Sequence, residues 1–142
     1  MEQTEIAIRQ AELIIQLYEL RREPIMRLAR KYVGGRFLPT SFESLIALMS
    51  VEEQSAYVLQ VYGYWDMVAA MVFHGALTED VVYDCCGEIY FQYAKIKPFI
   101  EEFRVRNSLP GLFVNLQKLV EGSEKGRSRL TAMAGYLRLC CQ

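Results

Sequence analysis

Apolar residues recur along this chain with the period of an α-helix. In the stretch from 82 to 103 they step by 4 and 3 in turn, which keeps one stripe on a single helix face for about six turns. The members of that stripe are Val82, Cys86, Ile89, Tyr93, Ile96, Ile100 and Phe103. The preceding stretch, 51–74, is apolar on nearly all sides and is expected to be buried. We therefore predict a central αα-hairpin, residues 51–107, in which two long helices are joined by a short connection at 73–79.

Shorter helices are predicted on both sides of this hairpin. Their ranges are 4–32, 41–49, 112–120 and 130–141. Pro24 lacks a backbone donor and predicts a kink or break just before it in the first helix, which Gly34 and Gly35 end. A flexible loop is predicted at 121–128. Since no segment alternates with the period of a strand, the chain is expected to be a single all-α domain over 1–142, a bundle of five to six helices.

Two residues decide how the predicted hairpin is shaped. Gly75 follows the first long helix at the position where a left-handed residue would end it. Pro98 lies inside the second long helix, but the apolar stripe continues on both sides of it. The pattern therefore predicts a kink at Pro98, with the helix continuing beyond it.

Charge is segregated along the chain although its sum is small. Apolar residues make up 52% and the net charge is −1, which fits a folded globular chain better than a polycation or polyanion. Residues 41–94 hold eight acids and no Lys or Arg, whereas 1–40 carry a net charge of +2 and 95–142 of +5. We expect these regions to neutralise each other within one fold or across a dimer. The alternative is a polar surface built for a partner.

The sequence predicts a cytoplasmic chain without a membrane span. No apolar stretch of a signal peptide follows Met1, and four cysteines without such a signal suggest a reducing compartment. The most apolar stretch, 56–77, is interrupted by Asp66 near its middle, where a charge is costly in lipid. A buried core helix is the better interpretation of that stretch.

No catalytic residue, metal site or cofactor is predicted. His74 is the single histidine, and Asp66, two turns before it, is roughly 12 Å away, too far for a direct acid–base pair. The cysteines form two adjacent pairs, Cys85-Cys86 and Cys140-Cys141, whose members point about 100° apart on a helix and do not suit a shared metal. One alternative stays open, a small-ligand or enzyme pocket in the aromatic hairpin, lined by Tyr62, Trp65, Asp66 and His74.

A basic cluster offers a second alternative, the binding of nucleic acid or another anionic partner. Its members are Arg21, Arg22, Arg27, Arg30, Lys31 and Arg36. Such a cluster can contact phosphates. It lacks interleaved aromatic residues beyond Tyr32 and Phe37 and has no recognition-helix pattern. A solvated helix face, or a patch that pairs with the acidic middle, is therefore the better interpretation.

Three segments carry a resemblance to a known family. They are 57–66 (YVLQVYGYWD), 75–83 (GALTEDVVY) and 97–104 (KPFIEEFR). An aromatic-rich helix, an acidic turn that begins with glycine, and a helix that ends near an arginine resemble a family of short bacterial all-helical domains of unknown function, over about residues 50–120. Some members carry a membrane helix ahead of the domain, and this chain shows none. The resemblance implies the fold and no activity.

The function expected from the sequence is therefore a non-enzymatic protein-interaction module that self-associates, most simply as a homodimer. A small chain with this much apolar and aromatic surface has more to bury than its own helices cover. Tyr90 and Phe91 lie off the main apolar stripe and are the predicted interface residues.

Overall fold

The structure is a computed structural model that describes residues 2–140. Within that range it contains nine α-helices and no strand. They are α1 (Gln3–Leu20), α2 (Pro24–Gly35), α3 (Phe42–Met49), α4 (Glu52–Phe73), α5 (Glu79–Cys85), α6 (Glu88–Ile96), α7 (Ile100–Arg106), α8 (Val114–Glu121) and α9 (Glu124–Cys140). The all-α class is confirmed, and the predicted number of five to six helices was too low.

The break between α1 and α2 lies where the sequence predicted it. Pro24 occupies the first turn of α2, where its missing N–H needs no partner. Glu23 caps this helix, because its carboxylate accepts a hydrogen bond from Met26 N at 2.9 Å. The chain therefore starts a new helix at Pro24, and α2 ends at Gly35.

Helix α4 forms the centre of the core. Helices α2, α3 and α8 pack against it, and α9 packs on α6 and α8. The side of α4 that carries Ala56, Leu59, Gly63 and Met67 is exposed, so the expectation that this stretch is buried on nearly all sides was wrong. The buried residues of α4 share one broad side of the helix. They are Val58, Val61, Tyr62, Tyr64, Trp65, Val68 and Ala69.

The predicted second arm of the hairpin is three helices and not one. The first break comes at Cys86 and Gly87, between α5 and α6. The prediction at Pro98 was wrong: α6 ends at Ile96 and α7 begins at Ile100, because Pro98 has no N–H to continue the ladder. The apolar stripe crosses the break since Ile96 and Ile100 both face the same core. A central hairpin of two long helices is therefore not confirmed.

The connection after α4 behaves as the sequence predicted. Gly75 adopts φ +84°, a left-handed conformation that suits glycine. Thr78 then caps α5, its hydroxyl accepting a hydrogen bond from Val81 N at 3.2 Å.

The flexible loop predicted at 121–128 is instead a tight corner. Helix α8 extends to Glu121 and α9 begins at Glu124, where the hydroxyl of Ser123 accepts a hydrogen bond from Gly126 N at 2.9 Å. A Cβ on Gly126 would lie 2.3 Å from the carbonyl oxygen of Val120. Glycine at 126 therefore permits the close approach of two helices and does not mark flexibility.

Two fully buried tyrosines differ in how their hydroxyls are bonded. Tyr62 donates to the backbone oxygen of Gln92 at 2.8 Å and is 3.1 Å from its side-chain oxygen. The hydroxyl of Tyr90 has no hydrogen-bond partner among residues 2–140. A buried hydroxyl with no partner costs stability, whereas a bonded one contributes to it.

We expect Tyr62→Phe to lower the free energy of unfolding by about 1–2 kcal/mol, since it leaves Gln92 without a donor. Tyr90→Phe removes the unbonded hydroxyl and keeps the ring, so it should be neutral or stabilising. Urea unfolding followed by circular dichroism compares the two matched variants. An equal loss in both would contradict this account of the core.

Buried tyrosines also predict a loss of stability at alkaline pH. Burial raises the pKa of Tyr90 to about 12 and that of Tyr62 well above its usual range. Burial and the hydrogen bond to Glu121 raise the pKa of Tyr93 as well. The pKa values of these tyrosines in the folded chain lie above the value of about 10 in the unfolded chain. Their contribution to the free energy of unfolding is therefore complete below pH 10 and is lost as the pH rises above it. We expect the free energy of unfolding to fall from about pH 10 upward, and less steeply in Tyr90→Phe; an unchanged slope would argue against this origin.

Candidate association surface

Helix α1 presents an apolar stripe to solvent, which we call the α1 stripe: Ile8, Ala11, Ile15 and Tyr18. Their steps of 3, 4 and 3 place them along one side of the helix. Ile8, Ile15 and Tyr18 are 53%, 61% and 56% exposed. Leu17, on the opposite side, is buried in the core. α1 is therefore apolar on two faces, and the chain itself covers one of them.

The covered face of α1 is held by contacts to two other parts of the chain. Tyr64 of α4 donates a hydrogen bond to the carbonyl oxygen of Leu17 at 2.6 Å. Thr78 N donates to the side-chain oxygen of Gln10 at 2.8 Å. Leu13 and Ile14 are partly buried against the core. These contacts fix which side of α1 points outward.

An open apolar groove of about 360 Å³ runs between α1 and α5, directly beside the stripe. Its apolar walls are formed by Ala7, Ala11, Ile14, Ile15, Val81 and Cys85. Ala11 and Ile15 belong to both the groove and the α1 stripe. The exposed apolar surface therefore continues from the helix into the groove.

A row of glutamates borders the other edge of the stripe, which we call the acidic row: Glu5, Glu12 and Glu19. Their spacing of seven places them along one line of the helix surface. Glu5 pairs with Arg9 at 3.6 Å, and both side chains are exposed. Neither Glu12 nor Glu19 forms an ion pair within residues 2–140.

The outer face of α2 also places exposed apolar residues beside charged ones, but its charges are positive where those of the acidic row are negative. Ile25 and Leu28 are each 55% exposed. Arg27 and Lys31 lie one turn apart beside Leu28, and both are exposed. In the described part of the chain neither of these cations is in an ion pair.

The basic cluster predicted for anionic partners divides into an inner and an outer part. Arg21 lies over the ring of Trp65, 4.6 Å from its centroid, and its Nε is 3.4 Å from the Tyr64 hydroxyl. Arg30 donates to Glu88 at 2.5 Å. The exposed members are Arg22, Arg27, Lys31 and Arg36. Binding of an anionic partner stays a prediction, and it rests on these four side chains.

The four residues of the predicted ligand pocket face different partners. Tyr62 donates to Gln92, as described above, and lines an apolar cavity of only about 20 Å³. Trp65 is fully buried and its Nε1 donates to Glu88 at 3.0 Å. His74 is exposed at the C-terminal end of α4. Ligand binding by this group stays a prediction.

Asp66, the fourth member, caps a distant helix. Its Oδ1 accepts a hydrogen bond from Leu116 N at 2.9 Å, and Oδ2 is 3.4 Å from the side-chain nitrogen of Asn115. Leu116 lies in the first turn of α8, whose own cap position, Phe113, has no side-chain acceptor to offer. A carboxylate from α4 therefore supplies the capping bond that α8 lacks.

The two predicted interface residues contact other aromatic residues of their own chain. Tyr90 is fully buried, its ring centroid 5.6 Å from that of Tyr83 and 5.3 Å from the guanidinium of Arg129. Phe91 is partly buried and lies 6.0 Å from the ring of Tyr136. Their role in an interface stays a prediction, and Tyr90 has no exposed surface to offer a second copy.

Two residues that position the core were missed by sequence reasoning. Glu88 accepts a hydrogen bond from Trp65 and pairs with Arg30, although no sequence pattern predicted these contacts. Lys95 is buried and donates to the carbonyl oxygens of Val33 and Phe37 at 2.8 and 3.0 Å, at the C-terminal end of α2. The sequence indicated the Lys95 contact only in that this lysine lies next to the buried apolar residues of α6; a cation at the C-terminal end of a helix is favourable.

Cys85 and Cys140 are exposed and Cys86 is buried, all as free thiols, and Cys141 lies outside the described residues. Burial raises the pKa of the Cys86 thiol. Among residues 2–140, no group of three or more histidine, cysteine or acidic side chains is placed to hold a metal ion. Nor does any helix in that range have the length and apolar character needed to cross a membrane.

We expect Asp66→Ala to lower the free energy of unfolding by about 1–2 kcal/mol, because the first turn of α8 loses its acceptor. Asp66→Asn keeps an oxygen acceptor and should cost less than half as much. Chemical denaturation of the two variants measures the difference. Equal effects, or none, would show that Asp66 does not cap α8.

Comparison with known proteins supports the resemblance noted in the sequence. Residues 6–123 match the family model described as Domain of unknown function (DUF4760). No curated protein and no solved structure shows significant similarity. The match covers most of the chain, from α1 to the corner before α9, and extends beyond the resembling segments at 50–120. The chain therefore belongs to this family of domains of unknown function.

Proposed function

We propose that this chain is a non-enzymatic protein-interaction module that self-associates through the α1 stripe. The observation that carries the proposal is the second apolar face of α1. A surface helix of a single globular chain normally has one apolar side and one polar side. Here Ile8, Ile15 and Tyr18 are all more than half exposed, although Leu17 already anchors the opposite side.

The energy available from covering this stripe is large enough to matter. Full burial of an isoleucine side chain contributes about 1.5–3 kcal/mol, and each of the three large residues is roughly half exposed now. In a symmetric dimer the gain applies to both chains. At 18 residues, α1 is about 27 Å long, which suits contact with another helix along its length.

The contacts of the residues predicted to line a ligand pocket fit this proposal better than an active site. Tyr62, Trp65 and Asp66 use their polar atoms in contacts to Gln92, Glu88 and α8. We place the module in the cytoplasm, because free thiols such as exposed Cys85 suit a reducing compartment.

Replacing the stripe by charge tests the proposal. In Ile8→Glu/Ile15→Glu we expect the dimer of the wild-type chain to become a monomer in sedimentation velocity at micromolar concentrations. The same substitution at an exposed site outside the surface, Val105→Glu on α7, is the matched control, since Val105 is 76% exposed. It should leave the dimer intact.

Both substitutions change exposed positions, so each should alter the free energy of unfolding by no more than about 0.5 kcal/mol per site. Thermal unfolding checks this before sedimentation is interpreted. A wild-type chain that stays monomeric up to high micromolar concentration would refute the proposal, as would a dimer that the stripe variant leaves unchanged.

A further inference from the structure

We infer that the surface which receives the α1 stripe is the outer face of α2 in a second copy of the chain, so that α1 of each copy packs on α2 of the other. This inference rests on the proposed self-association and names the partner surface. It follows from a match between two exposed surfaces that each chain carries.

The first part of the match is apolar. The α1 stripe offers Ile8, Ile15 and Tyr18, and α2 offers Ile25 and Leu28 at 55% exposure each. The two sets lie on consecutive helices and are otherwise left in solvent. Packing one set on the other removes apolar surface from water in both chains.

The second part of the match is electrostatic. Beside the α1 stripe the acidic row supplies Glu12 and Glu19, and beside Leu28 the α2 face supplies Arg27 and Lys31. None of the four is in an ion pair within residues 2–140. The acidic row on α1 and the cations on α2 have opposite charge, and each lies beside exposed apolar residues. Such electrostatic complementarity determines the register and the choice of partner at an interface.

Symmetry then decides between the two simplest dimers. A pairing of α1 with α1 leaves Arg27 and Lys31 unpaired and offers each acidic row only Arg9, which already pairs with Glu5. A pairing of α1 with α2 satisfies both rows, and a two-fold axis repeats the contact, so that each chain gives and receives it once. The result is a closed dimer and not an open chain.

Charge reversal tests this geometry directly. One variant, Glu12→Lys/Glu19→Lys, makes both rows basic, and the other, Arg27→Glu/Lys31→Glu, makes both rows acidic. Each alone places like charges across both contacts, so we expect its dimer to weaken at least about tenfold. An equimolar mixture places opposite charges at both contacts and should form a heterodimer within about threefold of wild-type affinity.

The measurement is sedimentation equilibrium at low and high salt, with one variant carrying a fluorescent label so that heterodimers are counted. A reversal of two exposed glutamates elsewhere, Glu43→Lys/Glu52→Lys, is the matched control and should keep wild-type affinity. The quadruple variant, in which both rows are exchanged, should dimerise again by itself. Salt should weaken the wild-type dimer and strengthen each singly reversed one.

The outcomes separate this inference from the proposed function. If the stripe variant Ile8→Glu/Ile15→Glu abolishes the dimer while Arg27→Glu/Lys31→Glu dimerises like wild type, the role of α2 is overturned and self-association through α1 stands. Weakening of both charge variants without rescue in the mixture also overturns the α1–α2 pairing. A wild-type chain that is monomeric throughout overturns both proposals. Rescue by mixing supports both.

Discussion

One carboxylate joins the three helices around which the rest of the chain is arranged. Glu88, at the start of α6, accepts a hydrogen bond from Trp65 of α4 and forms an ion pair with Arg30 of α2. The indole N–H of a fully buried tryptophan needs an acceptor, and Glu88 is the acceptor that the fold provides. Arg21 lies over the same indole ring and connects the end of α1 to this centre. The side of α1 that faces the core is thereby fixed, and the stripe on its other side is left in solvent.

The charge pattern acquires a structural meaning from these contacts. Two ion pairs link the acidic middle of the chain to its basic ends, Arg30 with Glu88 and Lys125 with Asp80. Neutralisation within the fold therefore accounts for part of the segregation. Within residues 2–140, the charges outside ion pairs include Glu12 and Glu19 on α1 and Arg27 and Lys31 on α2, beside exposed apolar residues of these helices. This coincidence of unpaired charge and uncovered apolar surface is the basis of the proposed dimer.

Sequence periodicity predicted the helical class, and single residues predicted the break before Pro24 and the glycine that ends α4. These features depend on residues that are close together in the chain. The break at Pro98 was missed because an apolar stripe continues across it, and the tight corner at Gly126 was missed because it depends on Val120 of the preceding helix.

The candidate site was harder to predict, because periodicity shows which positions are apolar and does not show what covers them. Tyr90 lies off the apolar stripe that the sequence predicts for one continuous helix. Because a new helix begins at Glu88, the Tyr90 side chain instead points toward the core and is buried. The helical spacing of the α1 stripe was visible in the sequence. A second apolar side on a helix, however, is equally typical of burial within the chain and of contact with another chain. Bonds such as Asp66 to Leu116 and Glu88 to Arg30 join residues 50 and 58 positions apart, which no local pattern reports.

The central claim is that α1 is covered on one side by its own chain and on the other by a second copy. Residue-resolved hydrogen exchange at concentrations below and above dimer formation tests it most directly, because it reports on α1 and on the core in the same experiment. Slower exchange of α1 and α2 amides at high concentration, with exchange of α4 and α6 unchanged, is the result the account predicts. Exchange of α1 that does not depend on protein concentration would contradict it.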